Sequence, residues 1–294
     1  MKIAVVGSLN MDMVVTAPRI PLKGETITGQ ELHFVPGGKG ANQAVALGRL
    51  GADVSMFGCV GEDDFGRQLI HTLAANGVKA DQVRTLQGQT TGVAMITVGD
   101  GDNSIVVVPG ANGLVDRTYI ESIQDELLQS QMVILQLEIP LDTAVYVIDL
   151  CHRAGIAVLL NPAPAQELSP DLIEKLTFIT PNEHEAAIVF ADQGDYRELL
   201  RRYPEKLIIT QGSAGASFAS QNGEVHQIPA SPATVVDTTG AGDTFNAALA
   251  YAWSQAMTLE TALVFANCAA GLSTEKFGAQ GGMPTMAEVT ARLS

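Results

Sequence analysis

The segment at 236–247 contains the residues best suited to chemistry. An extended stretch leads into an alanine-rich helix through Gly240, Ala241, Gly242 and Asp243. Glycines at the start of a helix let backbone N–H groups approach an anion, and the positive end of the helix dipole adds attraction. The dipole alone also explains an acidic residue in a first turn. Two glycines, however, destabilise a helix start, so their presence indicates a functional role. The segment therefore predicts an anion hole with a carboxylate beside it.

A second glycine-rich helix start, at 36–44, presents polar groups of another kind. Lys39 and Asn42 follow the pair Gly37 and Gly38. Small hydroxylated ligands need convergent polar groups of this type. Taken alone, the segment is equally well explained by a tight turn with a solvated lysine.

Asn10 and Asp12 form a third candidate group. They lie two residues apart, so they face one side of any strand that contains them. They follow the first predicted strand, at the end where open α/β sheets bind ligands. A carboxylate that accepts two hydroxyl groups, with an amide beside it, is typical of sugar binding, although such pairs also occur in turns.

Three further polar segments follow predicted buried strands and belong on the same rim of the sheet: 136–140, 161–164 and 180–185. Within the last of them, Glu185 could orient a hydrated Mg²⁺ through water, because Mg²⁺ keeps most of its waters in proteins. Helix capping by Asn182, with acidic residues in the first turn, is the alternative.

The elements that must position these residues alternate between strands and helices. Apolar residues at helical spacing predict helices, and continuous apolar runs such as 133–135 and 158–160 predict strands buried on both faces. The predicted strands are 1–7, 53–60, 132–136, 157–161 and 207–210. The predicted helices are 39–50, 63–76, 116–129, 141–154, 182–190, 241–255 and 259–276, of which the last two close the chain. This order predicts an α/β fold, with a doubly wound, mostly parallel sheet flanked by helices.

Irregular strands interrupt the alternation at 12–16, 31–35, 92–98 and 104–108. Glycine and Asp or Asn residues at 99–103 suit the tip of a hairpin. We expect these strands, inserted at about residues 10–36 and 90–110, to form a small β-sheet lid over one end of the main sheet. A short antiparallel stretch is expected at 216–219 and 225–228. The length allows one or two domains, and in the absence of a linker we expect a single domain over 1–294.

The composition points to a small-molecule ligand. The 294 residues include 17 Lys+Arg against 32 Asp+Glu, a formal net charge of −15. Binding to nucleic acid or to an anionic membrane surface needs clustered cations, so neither partner is expected. The N-terminus lacks the long apolar stretch of a signal peptide. Three widely spaced cysteines fit neither a disulfide framework nor a zinc site, so we expect a reduced, cytoplasmic location.

Familiar nucleotide motifs do not account for the glycine-rich segments. Gly38 and Lys39 lack the spacing of a P-loop, which needs a glycine at the position of His33 and Ser or Thr at that of Gly40. The segment at 240–245 has Phe245 where a dinucleotide fingerprint has its third glycine, which disfavours a Rossmann oxidoreductase.

Three segments together resemble the PfkB family of carbohydrate kinases: Gly-Gly-Lys-Gly-Ala-Asn at 37–42, Thr-Pro-Asn-Glu-His-Glu at 180–185 and Asp-Thr-Thr-Gly-Ala-Gly-Asp-Thr-Phe at 237–245. The match runs in one order from Gly7 to Gln280. The resemblance implies a doubly wound α/β domain with a small β lid that also forms a homodimer contact. It further implies ATP-dependent phosphorylation of a sugar hydroxymethyl group, with the 5-hydroxyl of D-ribose as the leading acceptor.

The resemblance also implies roles residue by residue. Asp243 would deprotonate the attacking hydroxyl, and the amides of Gly240, Ala241 and Gly242 would hold the charge on the transferring phosphoryl group. The sugar would be bound by Asn10, Asp12, Gly38, Lys39, Gly40, Ala41, Asn42, Glu138 and Asp243. ATP would be bound by Asn182, Thr210, Gln211, Gly212, Ser213, Ala214, Gly215, Gly242 and, near the adenine, Asn267.

Two cations are implied as well. Glu185 matches the carboxylate of the family's Asn-x-x-Glu motif, which acts on Mg²⁺ through water. A monovalent cation, usually K⁺, would be held mainly by backbone oxygens and would order the anion-hole loop. The residues implied for it are Asp237, Thr239, Ser273, Lys276, Gly278 and Gly282.

Alternatives to D-ribose stay open within the family: deoxyribose, a nucleoside or another furanose. Asn10 together with Asp12 favours a sugar that carries both the 2- and the 3-hydroxyl. Outside the enzymes, the alternative is a non-catalytic sugar- or nucleotide-binding sensor. The run from Gly240 to Asp243 argues against a sensor, because binding alone does not need a base.

Overall fold

A computed structural model of the chain describes residues 2–192 and 194–294; Met1, part of the first predicted strand, lies outside them. The strands are β1 (Lys2–Val6), β2 (Asn10–Thr16), β3 (Glu31–Gly37), β4 (Asp53–Gly61), β5 (Lys79–Leu86), β6 (Gly92–Gly99), β7 (Asp102–Val108), β8 (Met132–Leu135), β9 (Ala157–Leu160), β10 (Phe178–Ile179), β11 (Ile208–Thr210), β12 (Ala216–Ala219) and β13 (Val225–Ile228). The helices are α1 (Lys39–Arg49), α2 (Asp64–Ala75), α3 (Arg117–Leu127), α4 (Leu141–Ala154), α5 (Pro170–Glu174), α6 (Glu183–Val189), α7 (Tyr196–Arg202), α8 (Ala241–Ser254), α9 (Leu259–Ser273), α10 (Ala279–Gly282) and α11 (Met286–Leu293).

Six strands form the central sheet in the order β10–β9–β8–β1–β4–β5, and all neighbours are parallel. Every residue of β8 is buried, as are all but the first residues of β1 and β9, since helices cover both faces. The antiparallel unit β11–β12–β13 continues beyond β10 through two parallel bridges, Ile179 to Leu207 and Asn182 to Thr210. The predicted α/β fold class is confirmed.

A separate four-stranded sheet, β3–β2–β6–β7, forms the expected lid. Its outer pairs are antiparallel, but β2 and β6 run parallel, so that Asn10 stands between Gly37 and Gly92. The hairpin tip is tighter than predicted, because Asp100 (φ 55°) and Gly101 (φ 74°) close it as a two-residue turn. Left-handed residues at both positions match the twist of a β-hairpin.

Several elements were not predicted. Strand β5 lies at the sheet edge, and of its residues only Val83 is buried, so it lacks an apolar run. The prediction that helix 259–276 closes the chain was wrong: α9 ends at Ser273, and α11 follows. Helix α11 carries a capping box between Thr285 and Glu288, a sequence signal that predicts a helix start.

No helix among residues 2–192 and 194–294 combines the length and the apolar character needed to cross a membrane.

Candidate active site

The polar segments predicted to share one rim do meet there. Ser8, which follows β1, donates a hydrogen bond to Glu138, which follows β8, at 2.5 Å. Asn161, which follows β9, accepts a hydrogen bond from Gln43 of α1. Thr180, which follows β10, donates to Asn246 of α8. The rim therefore brings four strand ends together with the starts of two helices.

Both of those helices begin at a glycine whose backbone only glycine adopts readily. Gly38 precedes α1 with φ 87°, and Gly240 precedes α8 with φ 78°. A Cβ on Gly38 would lie 2.6 Å from the Asn10 nitrogen, and one on Gly240 would lie 3.0 Å from Ala279. Neither helix start has a side-chain cap. At α1 the first three amides are already engaged, because Lys39 donates to Glu138 and both Gly40 and Ala41 donate to Ser8, so the N–H groups open to an anion are those at the start of α8.

The predicted anion hole has two donors without a partner rather than three. The Ala241 amide donates to the Thr238 carbonyl at 3.2 Å, as part of the turn into α8. Within the part of the chain that the structure describes, the amides of Gly240 and Gly242 donate to no protein group. These two are the N–H groups open to a phosphoryl oxygen.

Asp243, in the first turn of α8, is 6% exposed. Its Oδ2 accepts a hydrogen bond from Asn42 at 2.9 Å, and its Oδ1 accepts one from Gln43 at 3.0 Å. Burial raises the pKa of Asp243, while Lys39 and the two amide hydrogen bonds oppose that rise. A buried carboxylate with a raised pKa beside a cleft is suited to accept a proton.

Lys39 is the cation of the site, and several carboxylates surround it. Burial acts to lower the pKa of Lys39, but Asp243, Glu138, Glu185 and Asp12 together raise it. The lysine is therefore charged at neutral pH. Its backbone N–H donates to Glu138 at 3.1 Å. The side chain lines the same pocket as Asp243 and the start of α8.

The expected sugar-binding residues form the lid side of the site. Asp12, on β2, lies against the backbone of Gly37. Burial, reinforced by Glu138 and Asp243, raises the pKa of Asp12 to about 7. Asn10 and Asn42 are buried, so the donor and acceptor groups converge on a small space. Gly40 and Ala41, also expected here, are buried in the first turn of α1, where their amides donate to Ser8.

Two buried residues complete this region, and the sequence reasoning missed both. The Ser8 hydroxyl donates to Glu138 and accepts from the Gly40 amide. The Asn112 side chain brackets Leu9, accepting from its N–H and donating to its carbonyl, and also donates to Asn10 Oδ1 at 2.7 Å. The last bond occupies Asn10 Oδ1, so the N–H groups of the Asn10 amide are the ones left to donate to a ligand. Ser8 follows Gly7, and Asn112 lies between Gly110 and Gly113. The roles of both residues depend on contacts with residues distant in the sequence, which the local sequence does not show.

A cleft of about 440 Å³ lies between β11, the segment at 230–235 and helices α8 and α9. It meets the Asp243 pocket at Thr210 and Gly242, which line both. Most of its lining is apolar, as a flat purine base requires. Of the expected ATP-binding residues, Thr210, Gly212, Ser213, Gly215, Gly242 and Asn267 line the cleft, and Asn182 lines the adjoining pocket.

Gln211 and Ala214, expected to bind ATP, are not among the residues that line the cleft. The Gln211 side chain donates to Glu183 and accepts from Ser217, so it stabilises the loop at 210–215 through contacts with the protein. Asn267 lines the cleft, but its amide donates to the carbonyls of Ile228 and Pro229. Asn267 therefore forms part of the cleft wall, and its amide N–H groups are already used within the protein.

The Glu185 carboxylate takes part in the capping box that was the alternative to a metal role. Its Oε2 accepts from the Asn182 N–H at 2.8 Å, and its own N–H donates to Asn182 Oδ1. The same side chain lines the pocket with Asp243 and Lys39. Among the described residues no cluster of three or more His, Cys, Asp or Glu could hold a metal ion directly. A hydrated Mg²⁺, which needs few protein ligands, fits this arrangement.

The residues expected to hold a monovalent cation are gathered where the loop before α8 meets the segment after α9. Asp237 accepts hydrogen bonds from Thr239 and Gly278, which lower its pKa although burial acts to raise it. A Cβ on Gly282 would lie 2.0 Å from the Ser273 carbonyl oxygen and 3.4 Å from that of Lys276. The Lys276 ammonium instead pairs with Glu288. Converging carbonyl oxygens are the donor set that a monovalent cation takes.

Comparison with known proteins identifies the class to which this fold and site belong. The sequence matches the pfkB family of carbohydrate kinases over residues 1–286. The chain belongs to this family, and thus to the phosphotransferases with an alcohol group as acceptor.

Individual relatives narrow the comparison. The chain is 48% identical over 292 residues to the ribokinase of Bacillus subtilis, covering 99% of each chain. It is 35% identical over 304 residues to the deoxyribokinase of Salmonella typhimurium, covering 100% of this chain and 99% of the relative. The structure superimposes on Arabidopsis thaliana ribokinase complexed with ribose and ATP with a TM-score of 0.87, at 31% identity, covering 99% and 98% of the two chains.

Proposed function

We propose that this protein transfers the γ-phosphoryl group of ATP to the 5-hydroxyl of D-ribose, giving ribose 5-phosphate and ADP. The observation that carries the proposal is the place of Asp243. It is a buried carboxylate at the junction of an apolar cleft and a pocket lined by carboxylates and amides. Two ribokinases are 48% and 45% identical to this chain, against 35% for a deoxyribokinase, which favours ribose as the acceptor.

The chemistry follows from the residues around that junction. Asp243 takes the proton of the attacking hydroxyl, which Asp12, Asn10 and Glu138 hold in place through the other hydroxyl groups of the sugar. The N–H groups of Gly240 and Gly242, at the positive end of α8, stabilise charge on the transferring phosphoryl group. Lys39 neutralises charge between donor and acceptor. All three contributions act on one reacting centre.

Two cations belong to the proposal. Glu185 would hold Mg²⁺ through water, and bound Mg²⁺ neutralises phosphate charge during phosphoryl transfer. The oxygens of Asp237, Thr239, Ser273, Lys276, Gly278 and Gly282 would hold K⁺ beside the loop that leads into α8. By holding the cation there, these residues would order the loop and so keep the N–H groups at the start of α8 in place.

We further propose a homodimer formed through the lid and a cytoplasmic location. Eight large apolar side chains of the lid are more than one-third exposed: Leu32, Phe34, Met95, Val98, Ile105, Val106, Val107 and Val108. An exposed apolar sheet of this kind is a usual sign of an interaction surface. The three cysteines are buried and unpaired, which suits a reducing compartment where ATP is supplied.

An acceptor panel tests the proposed function. ADP release is followed with ATP and Mg²⁺ in K⁺ buffer, against D-ribose, 2-deoxyribose, adenosine and fructose. The highest kcat/KM is expected with D-ribose. A nucleoside or deoxyribose at the head of the panel would replace ribose as the substrate. Binding of sugar without ADP release from any acceptor would support the sensor instead.

A further inference from the structure

Two buried glutamines lie behind the Asp243 carboxylate and have no part in the reaction as proposed. Gln43 is fully buried, and its Nε2 donates to Asp243 Oδ1 at 3.0 Å and to Asn161 Oδ1 at 3.2 Å. Its Oε1 accepts a hydrogen bond from Gln136 Nε2 at 2.6 Å. Because an amide has one donor end and one acceptor end, the bond from Gln136 fixes which end of Gln43 faces the carboxylate.

The second carboxylate oxygen is held in the same way from the opposite direction. Asn42 Nδ2 donates to Asp243 Oδ2 at 2.9 Å, and Asn42 Oδ1 accepts from Gln280 Nε2 at 3.1 Å. Gln280 belongs to α10, which packs on the start of α8 through the close approach of Ala279 to Gly240. Each oxygen of Asp243 therefore ends a chain of two amides.

This arrangement leaves two acceptors without donors. Gln136 Oε1 and Gln280 Oε1 are buried, and neither accepts a hydrogen bond from the residues that the structure describes. An unsatisfied buried oxygen is unfavourable. Reversing either outer amide would give up its bond to Gln43 or Asn42 and free that inner amide to turn its oxygen towards the carboxylate. The direction of all four amides thus serves Asp243 rather than the outer glutamines.

We propose that Gln43 is a positioning residue for the catalytic carboxylate, and that Gln136 and Gln280 set the direction of the amides that hold it. The inference rests on the proposed role of Asp243 as the base. Two fixed oxygens define the plane of the carboxylate and leave its remaining lone pairs to the incoming hydroxyl. Donation from both sides also favours the ionised carboxylate, which is the form that accepts a proton.

The test compares Gln43→Leu and Gln136→Leu with wild type. Gln43→Leu removes a donor from Asp243, so kcat is expected to fall about 10- to 100-fold, while the KM values for ribose and ATP change less than threefold. The acid limb of the kcat–pH profile is expected to move to higher pH by about one unit, because the lost hydrogen bond favoured the ionised form. Gln136→Leu is expected to shift both quantities in the same direction by less.

Other charged groups that face Asp243 stay in place in both variants: Lys39 from α1, Glu138 after β8 and Asp12 from the lid. Ile134→Ala is the matched control, because it removes buried volume from β8, the strand directly before Gln136, and leaves the amides intact. It is expected to lower the thermal midpoint without moving the pH profile.

The outcomes separate cleanly. If the glutamine variants have the kcat and the kcat–pH profile of wild type, the positioning role is overturned. The two glutamines would then have a structural role only. If Gln43→Leu does not fold, Gln136→Leu carries the test, since Gln136 makes no hydrogen bond to Asp243. If wild type prefers an acceptor other than ribose, the same comparison is made with that acceptor, so failure of the substrate assignment is seen separately.

Discussion

The Asp243 carboxylate accepts one hydrogen bond on each oxygen and has Lys39 nearby. A residue placed only to satisfy the dipole of α8 would have no need of this burial. Asp243→Asn keeps the size of the side chain but removes the base, so kcat is expected to fall by about 10²–10⁴-fold. Ribose and ATP should still bind within a few-fold of wild type.

Turnover and thermal midpoint are measured on the same Asp243→Asn protein. A helix-dipole role alone predicts a stability loss of about 0.3–1 kcal/mol with turnover nearly unchanged. A loss of turnover smaller than about tenfold would remove Asp243 from the proposed mechanism.

Asn112 directs the Asn10 amide, because its Nδ2 occupies Asn10 Oδ1. Asn112→Ala frees the Asn10 side chain to rotate, so discrimination between ribose and 2-deoxyribose should fall by about tenfold. The ratio of kcat/KM for the two sugars measures the effect. Thr91→Val is the control: Thr91 ties the start of β6 to Asp63 by two hydrogen bonds and makes none to Asn10. An equal loss for both sugars in Asn112→Ala would indicate a structural role only.

Asp12 is expected to bind ribose but to lower the stability of the folded protein above neutral pH. Its pKa of about 7 in the folded protein lies above the ordinary value of 3.8. The unfolded chain therefore releases this proton first, and the stability that the group contributes is lost as the pH rises from about 4 to 7. Asp12→Asn should be more stable than wild type by about 1–2 kcal/mol at pH 8, with little difference near pH 4. The variant should bind ribose more weakly.

Urea unfolding of Asp12→Asn at both pH values checks this sign. Asp81→Asn removes the same formal charge from an exposed position on β5 and serves as the control. A difference between Asp12→Asn and wild type that is independent of pH would contradict a raised pKa.

At the scale of elements, the start of α8 depends on one backbone conformation. Gly240→Ala puts a side chain on a left-handed residue, at about 1–2 kcal/mol, and pushes its Cβ against Ala279. Displacement of the helix start would move the Gly242 amide, so turnover should fall as well. Gly51→Ala is a matched control: Gly51 has φ 81° but open space around its Cβ position. Both variants should lose stability through the left-handed backbone, and Gly240→Ala should lose more because of the contact with Ala279. Only Gly240→Ala should lose turnover; wild-type turnover in both variants would separate the helix start from catalysis.

The elements show how far local sequence predicts this structure. Buried parallel strands such as β8 and β9 were predicted correctly, because strands covered on both faces have unbroken apolar runs. The edge strand β5 was missed, since an exposed strand needs no such run. In the site, glycine-rich helix starts predicted Lys39 and Asp243. The segment 136–140 was placed on the rim, but the roles of Asn112 and Gln136 were not predicted, because they depend on contacts with residues about 100 positions away.

At the scale of the whole molecule, the lid carries a large share of the exposed apolar side chains. Adjacent residues of a strand point to opposite faces, so the double variant Val106→Asp with Val107→Asp places a charge on each face of β7. Wild type is expected to have the mass of a dimer in light scattering after size exclusion, and the double variant that of a monomer. Thr85→Asp, on the exposed strand β5, should leave the mass unchanged. A monomeric wild type would remove the lid as a dimer contact.

The crowding of Asp12, Glu138, Glu185 and Asp243 around the single ammonium of Lys39 has a consequence for the order of events. An approaching triphosphate meets repulsion from carboxylates that one lysine does not offset, whereas a neutral sugar meets none. Added salt screens such repulsion over about 8–10 Å. Nucleotide capture should therefore quicken with ionic strength while sugar capture does not, which makes the empty site more receptive to its uncharged substrate than to its charged one.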